Sequence, residues 1–125
     1  MLKFVRDLMH KDDTVPVKPL GTKMSDALVE MTSKGFGCVG IVDSRGDIVG
    51  IVTDGDLRRH MRPDLMAATV DDVMTKNPKT IGPDLLASEA LEILNASKIT
   101  ALIVTDGKKP VGIVHLHDIL RAGVA

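Results

Sequence analysis

The sequence predicts an α/β (α+β) fold in which two β-α-β-β-α repeats pack as one intertwined, pseudo-twofold domain. Three observations predict it. The chain repeats itself: VGIVTDGDLRR from Val49 returns as VGIVHLHDILR from Val111, with Asp56 matching Asp118 and Arg59 matching Arg121, 62 residues apart. Strand-length aliphatic runs alternate with segments of helical period. Turn-forming residues sit between the runs. Internal repeats are the first organising signal to seek.

The elements follow in order. Val5-Arg6-Asp7-Leu8-Met9 matches Val70-Asp71-Asp72-Val73-Met74, a short amphipathic segment ending in methionine in each copy. An extended piece comes next, Thr14-Val15-Pro16-Val17 or Lys79-Thr80-Ile81, where Pro16, Pro19, Pro78 and Pro83 exclude helix. A helix follows. Met24, Ala27, Leu28 and Met31 share one apolar face, as do Leu86, Ala90, Leu91 and Leu94. Thr22 or Ser25 and Asp84 are the expected N-caps, and Gly35 or Gly37 ends the first helix. Cys38–Val42 and Ala101–Val104 read as strands, Asp43-Ser44-Arg45-Gly46 and Asp106-Gly107-Lys108-Lys109 as turns, and Ile48–Thr53 and Val111–His115 as returning strands. A last helix starts near Asp54 or Leu116. The repeats divide the chain at residues 1–62, with an N-terminal linker, and 63–125. The strand runs are continuous rather than alternating, which predicts sheets covered on both faces.

Composition narrows the function. With 125 residues the chain can bury roughly two thirds of its unfolded surface. Phe4 and Phe36 are the only aromatic residues, so the core is aliphatic, and the stacking equipment of single-strand nucleic-acid binders is missing. Net charge is −1, which predicts no basic face and no nucleic-acid partner. Cys38 is the single cysteine, so no internal disulfide can form and a reducing, cytoplasmic setting is expected. No stretch has the signature of a signal peptide or reaches the roughly 20 apolar residues of a membrane span.

The repeat, together with Gly-Ile-Val-Thr-x-x-Asp at Gly50 to Asp56, resembles a tandem pair of CBS domains, the regulatory unit called a Bateman module. The resemblance runs from Val5 to Arg121. TDGDLRR in the first copy and HLHDILRAG in the second further resemble the C-terminal part of the D-arabinose-5-phosphate isomerase family. Those enzymes place a sugar-isomerase (SIS) domain ahead of a CBS pair and supply a precursor of Kdo, the lipopolysaccharide sugar. The opening LKFVRDLMHKDDTVPVK resembles the join between the two parts.

The resemblance implies a nucleotide-type ligand. Thr53 and Asp56 would hold a ribose, since a carboxylate offers two acceptor oxygens to the two donors of a cis-diol. The alternative is that Asp54 or Asp56 only favours a helix N-terminus. Arg58, Arg59, His60 and Arg62 read either as a phosphate clamp or as a solvated helix face. Gly37, Cys38 and Val39, with Lys98, Ile99 and Thr100, would form base pockets, and Thr80 joins the ligand set by the same implication. In the second copy His115 replaces Thr53 and His117 replaces Gly55, while Asp118 persists. A metal at His115 and His117 is not expected, because no third ligand has the spacing; His115 is expected to donate to a ligand or to backbone instead. Cys38 reads as a small buried residue rather than a reactive thiol, and Gly35 to Gly37 lacks the rest of a dinucleotide fingerprint.

The expected role is the regulatory part of the isomerase, without catalysis of its own and without a required cofactor. The candidate effector is CMP-Kdo, whose ribose diol, phosphate and carboxylate suit the acid and arginine inventory; AMP or ATP is the alternative. A purely structural oligomerisation module is the third reading. A homodimer of CBS pairs is expected, within a tetramer of the parent enzyme.

Overall fold

The computed structural model describes residues 2–124. It holds six α-helices and two four-stranded sheets among the described residues. The helices are α1 (Val5–Leu8), α2 (Met24–Lys34), α3 (Asp54–Arg59), α4 (Val70–Val73), α5 (Ala87–Ser97) and α6 (Leu116–Arg121). The strands are β1 (His10–Lys11), β2 (Val17–Pro19), β3 (Cys38–Val42), β4 (Ile48–Thr53), β5 (Thr75–Lys76), β6 (Thr80–Ile81), β7 (Ala101–Asp106) and β8 (Lys109–His115). The α/β class and the element order read from the sequence hold.

The two sheets obey one rule. In the first, the order is β2-β3-β4-β5, with β2 parallel to β3 and the other neighbours antiparallel. In the second, β6-β7-β8-β1 repeats this pattern. A register shift interrupts each central hairpin, at Ile41/Val42 and at Val104/Thr105, just before its turn. Gly46 (φ 82°) and Gly107 (φ 64°) supply the left-handed residue those turns need.

The fourth strand of each sheet comes from the other sequence repeat. One compact unit is Pro16–Pro78; the other joins Met1–Val15 to Lys79–Ala125. The segment α1-β1 lies beside β8 and α5, although the first repeat carries it, and α4-β5 lies on the Pro16–Pro78 unit. Sequence repeats (1–62, 63–125) and compact units thus cut the chain at different places. Val5 is fully buried in the core of Leu91, Leu94, Leu102, Val104, Val114 and Ile119. Val70 and Val73 are buried with Met24, Ala27, Met31, Val39, Ile41 and Val52.

The same exchange overturns the expected helix caps. The N-caps are Lys23 and Leu86, and neither side chain caps. Instead the Met24 N–H donates to the Ala68 carbonyl at 2.8 Å, and the Ala87 N–H to the Lys3 carbonyl at 2.9 Å. Main chain from the exchanged segment satisfies helix-end donors that would otherwise be orphaned. Thr22 donates to the Pro19 carbonyl, and Asp84 pairs with Arg6 at 2.7 Å. Gly35 (φ 79°) is the C-cap of α2, as expected.

Candidate functional site

In the Pro16–Pro78 unit, β4 runs directly into α3 through a capping box. Thr53 is extended, and its hydroxyl accepts from the Asp56 N–H at 3.3 Å. Asp56 Oδ2 accepts from the Thr53 N–H at 2.9 Å and from its hydroxyl at 3.1 Å. Asp56 Oδ1 accepts from Arg59 Nη2 at 2.6 Å and from Thr75 Oγ1 at 2.8 Å. A carboxylate offers about four lone-pair sites, and these donors occupy them. Asp56 is 2% exposed. Burial alone would push its carboxyl up, but the bonds from Thr75, the Thr53 N–H, Arg59 and the Thr53 hydroxyl outweigh it and hold the group below the usual carboxylate range.

Other expected site residues cluster here. Cys38 is paired with Thr53, and Val39 with Val52, across the hairpin. Both side chains are buried, which leaves only their main chain to meet a ligand. The Cys38 thiol is pushed up to about 12 by burial and by the nearby Asp54 carboxylate. Gly37 (φ 76°) lets the chain pass Asp54 closely: a Cβ there would lie 3.3 Å from Asp54 Oδ2. Three members of the basic cluster bond to Asp56 or Asp64. Arg59 binds Asp56, His60 Nδ1 lies 2.9 Å from the Asp56 carbonyl, and Arg62 binds Asp64 at 2.9 Å. Arg58 is exposed.

In the other unit, His115 takes over the capping role of Thr53. Its Nδ1 accepts from the His117 N–H at 3.0 Å, so the ring is an acceptor here rather than the expected donor. The Asp118 Oδ2 accepts from the His115 N–H at 2.9 Å. Burial, chiefly, lowers the His115 ring's proton affinity; His117, His10 and Arg121 add to the effect, against Asp118. The His115 and His117 rings lie 4.7 Å apart, tilted by 59°. Thr100 reaches the same end of β7 and β8, its carbonyl accepting from the Leu116 N–H at 2.7 Å. Lys98 ends α5 in the left-handed conformation (φ 55°), two residues before Thr100. Thr80 stands further along, on β6, where its hydroxyl accepts from Thr105 at 3.4 Å. Among the described residues, no group of three or more His, Cys, Asp or Glu could hold a metal ion.

Two partners were not foreseen. His10 Nε2 lies 3.1 Å from each oxygen of Asp118, and Thr75 donates to Asp56. The two occupy equivalent places, each following the repeated methionine, Met9 or Met74. That equivalence is visible in the repeat one residue beyond the matched segment. Only the fold reveals that each reaches the aspartate of the other repeat.

The CBS domain family matches residues 5–63 and 70–125. The chain is 46% identical, over 99% of its length, to 39% of arabinose 5-phosphate isomerase KdsD of Pseudomonas aeruginosa. It spans about two fifths of the length of the curated relatives it matches. Among solved structures it resembles the CBS domain pair of protein MJ0100 in complex with 5′-methylthioadenosine and S-adenosyl-L-methionine (TM-score 0.85, 23% identity, 98% of this chain and 97% of that one). It also resembles CBSX2 in complex with AMP (TM-score 0.81, 25% identity, 96% and 95%).

Proposed function

The chain belongs to the CBS-domain family as a tandem pair, and from that premise we propose that it is the effector-binding, regulatory part of an arabinose 5-phosphate isomerase. The observation that carries this reading is identity of 46% across nearly the whole chain to an enzyme of that name, of which it spans 39%. The remainder of such an enzyme would hold the SIS catalytic domain, and the CBS pair would have no catalysis of its own. It needs no resident cofactor, works in the cytoplasm, and assembles as a homodimer of CBS pairs.

The effector we propose is CMP-Kdo. An activated end product acting on the first committed step would bias the catalytic domain through different affinity for its two states. Its ribose diol suits an aspartate at the strand-to-helix turn, and its phosphate and carboxylate suit the chain's arginines. A second reading, an adenine-nucleotide sensor, is favoured by the AMP and S-adenosyl-L-methionine complexes of the similar structures. Isothermal titration with CMP-Kdo, CMP and AMP side by side separates them. The expected result is binding of CMP-Kdo in preference to both others. Preference for AMP transfers the chain to the adenine reading. Silence with all three up to about 1 mM leaves the structural module.

A further inference from the structure

The two repeats carry the same aspartate in the same turn, but the protein holds the two carboxylates differently. Asp56 is sealed: 2% exposed, with Thr53, Arg59 and Thr75 on its two oxygens. The Asp118 side chain is 14% exposed. Its donors are the His115 N–H, on Oδ2, and the His10 ring. His10 Nε2 stands 3.1 Å from both oxygens, so a single nitrogen straddles the bisector of the carboxylate. That bisector is where the paired hydroxyls of a vicinal diol would meet two acceptor oxygens at once. The ring is 42% exposed and comes from β1, a two-residue strand at the sheet edge. The pairing of His10 with Ile113 and of Lys11 with Gly112 is made by the main chain and does not involve the ring.

We propose that His10 is a displaceable plug on Asp118, and that Asp118, not Asp56, is the carboxylate this chain offers to the ribose of a ligand. The proposal rests on the reading that the chain binds a nucleotide. It assigns that nucleotide to the second repeat and makes displacement of His10 a condition of binding. The asymmetry arises from the chain's own substitutions. Thr75 stands where the second unit has His10, and its hydroxyl and Arg59 both donate to Asp56 Oδ1.

The experiment is isothermal titration of the wild type, His10→Ala and Asp118→Asn with AMP, CMP and CMP-Kdo, and with 2′-deoxy-AMP and 2′-deoxy-CMP. Removing a partly exposed competing hydrogen bond is expected to tighten ribonucleotide binding roughly five- to tenfold in His10→Ala. The 2′-deoxy compounds gain nothing from that change, and Asp118→Asn loses binding. Equal or weaker binding by His10→Ala overturns the plug, as does unchanged affinity in Asp118→Asn. Absence of binding by the wild type and by His10→Ala alike overturns the nucleotide reading and the plug with it; binding without a gain in His10→Ala overturns the plug alone. Should His10→Ala not fold, the His10 ring nitrogens of the wild type are followed by NMR. Displacement shifts Nε2 when a ribonucleotide is added, and an unmoved resonance in the bound state overturns the proposal.

Discussion

His10 Nε2 lies 3.1 Å from both oxygens of Asp118, a residue 108 positions away in the chain. Thr75 and Asp56 repeat the relationship in the other unit, at 2.8 Å. In both units the aspartate in the first turn of the helix that follows the central hairpin also bonds the short strand borrowed from the other repeat. A residue expected from the sequence to hold a ligand is therefore part of the fold's own framework.

That framework is unequal, and stability should show it. Asp56→Ala strips Arg59, Thr75 and the Thr53 N–H of their acceptor and is expected to cost about 2–3 kcal/mol. Asp118→Ala removes fewer and more exposed bonds and is expected to cost about 1 kcal/mol. Urea unfolding of both variants measures this, and equal costs would contradict the account. The Asp56 carboxyl is held below its ordinary value. Its contribution is thus present above the unfolded value of about 3.9 and is lost as pH falls through the folded one.

His115 gives the second unit a further pH dependence. Its Nδ1 must keep a lone pair to accept from the His117 N–H, and its proton affinity is lowered, mainly by burial. The unfolded chain therefore takes up this proton first. The stabilising contribution is complete above about pH 6.5 and is lost as pH falls below that value toward the folded one. Thermal melts at pH 7.5 and 5.5 should differ less in His115→Thr, which restores the residue of the first repeat, than in the wild type. An unchanged difference would exclude His115 as the titrating group.

The repeated Val-Gly-Ile-Val has a packing reason. A Cβ on Gly112 would lie 2.6 Å from Met9 Sδ and 3.0 Å from the His10 carbonyl; one on Gly50 would overlap Met74 Sδ and lie 3.2 Å from the Thr75 carbonyl. The methionine can move, but the borrowed strand's main chain cannot do so without disturbing the ladder. Gly50→Ala and Gly112→Ala are each expected to cost about 1–3 kcal/mol by overpacking. Adding Met74→Ala or Met9→Ala should not restore the loss, because the carbonyl clash remains. Full rescue in chemical denaturation would place the whole conflict on the methionine.

Cys38 should be inert in the folded protein. It is buried, and its thiol is pushed up to about 12 from 9.0. Its thiolate is scarce at pH 8, and labelling by a disulfide reagent should be much slower than in the protein unfolded in urea. Fast labelling of the native chain would show that β3 opens readily.

Much of this molecule is written locally. The aliphatic period of α2 and α5, the runs that become β3 and β4, the Asp-Gly turn chemistry and Gly35 at a helix end are all short-range signals, and they appear where the sequence places them. Thr22, Ser25 and Asp84 were plausible caps by the same local logic. They failed because carbonyls of Ala68 and Lys3, distant in sequence, reach the helix starts first.

By itself, then, the sequence determined the α/β class, the duplication, the order of elements and the turn where Thr53-Asp54-Gly55-Asp56 begins a helix. The tertiary structure alone decided which sheet edge each short strand joins, and hence that Asp56 is sealed by Thr75 while Asp118 faces His10. Periodicity and turn propensity act over a few residues. Pairing a two-residue strand with an edge in the other repeat depends on burial of Val5 and Val70 in a core neither segment can form alone.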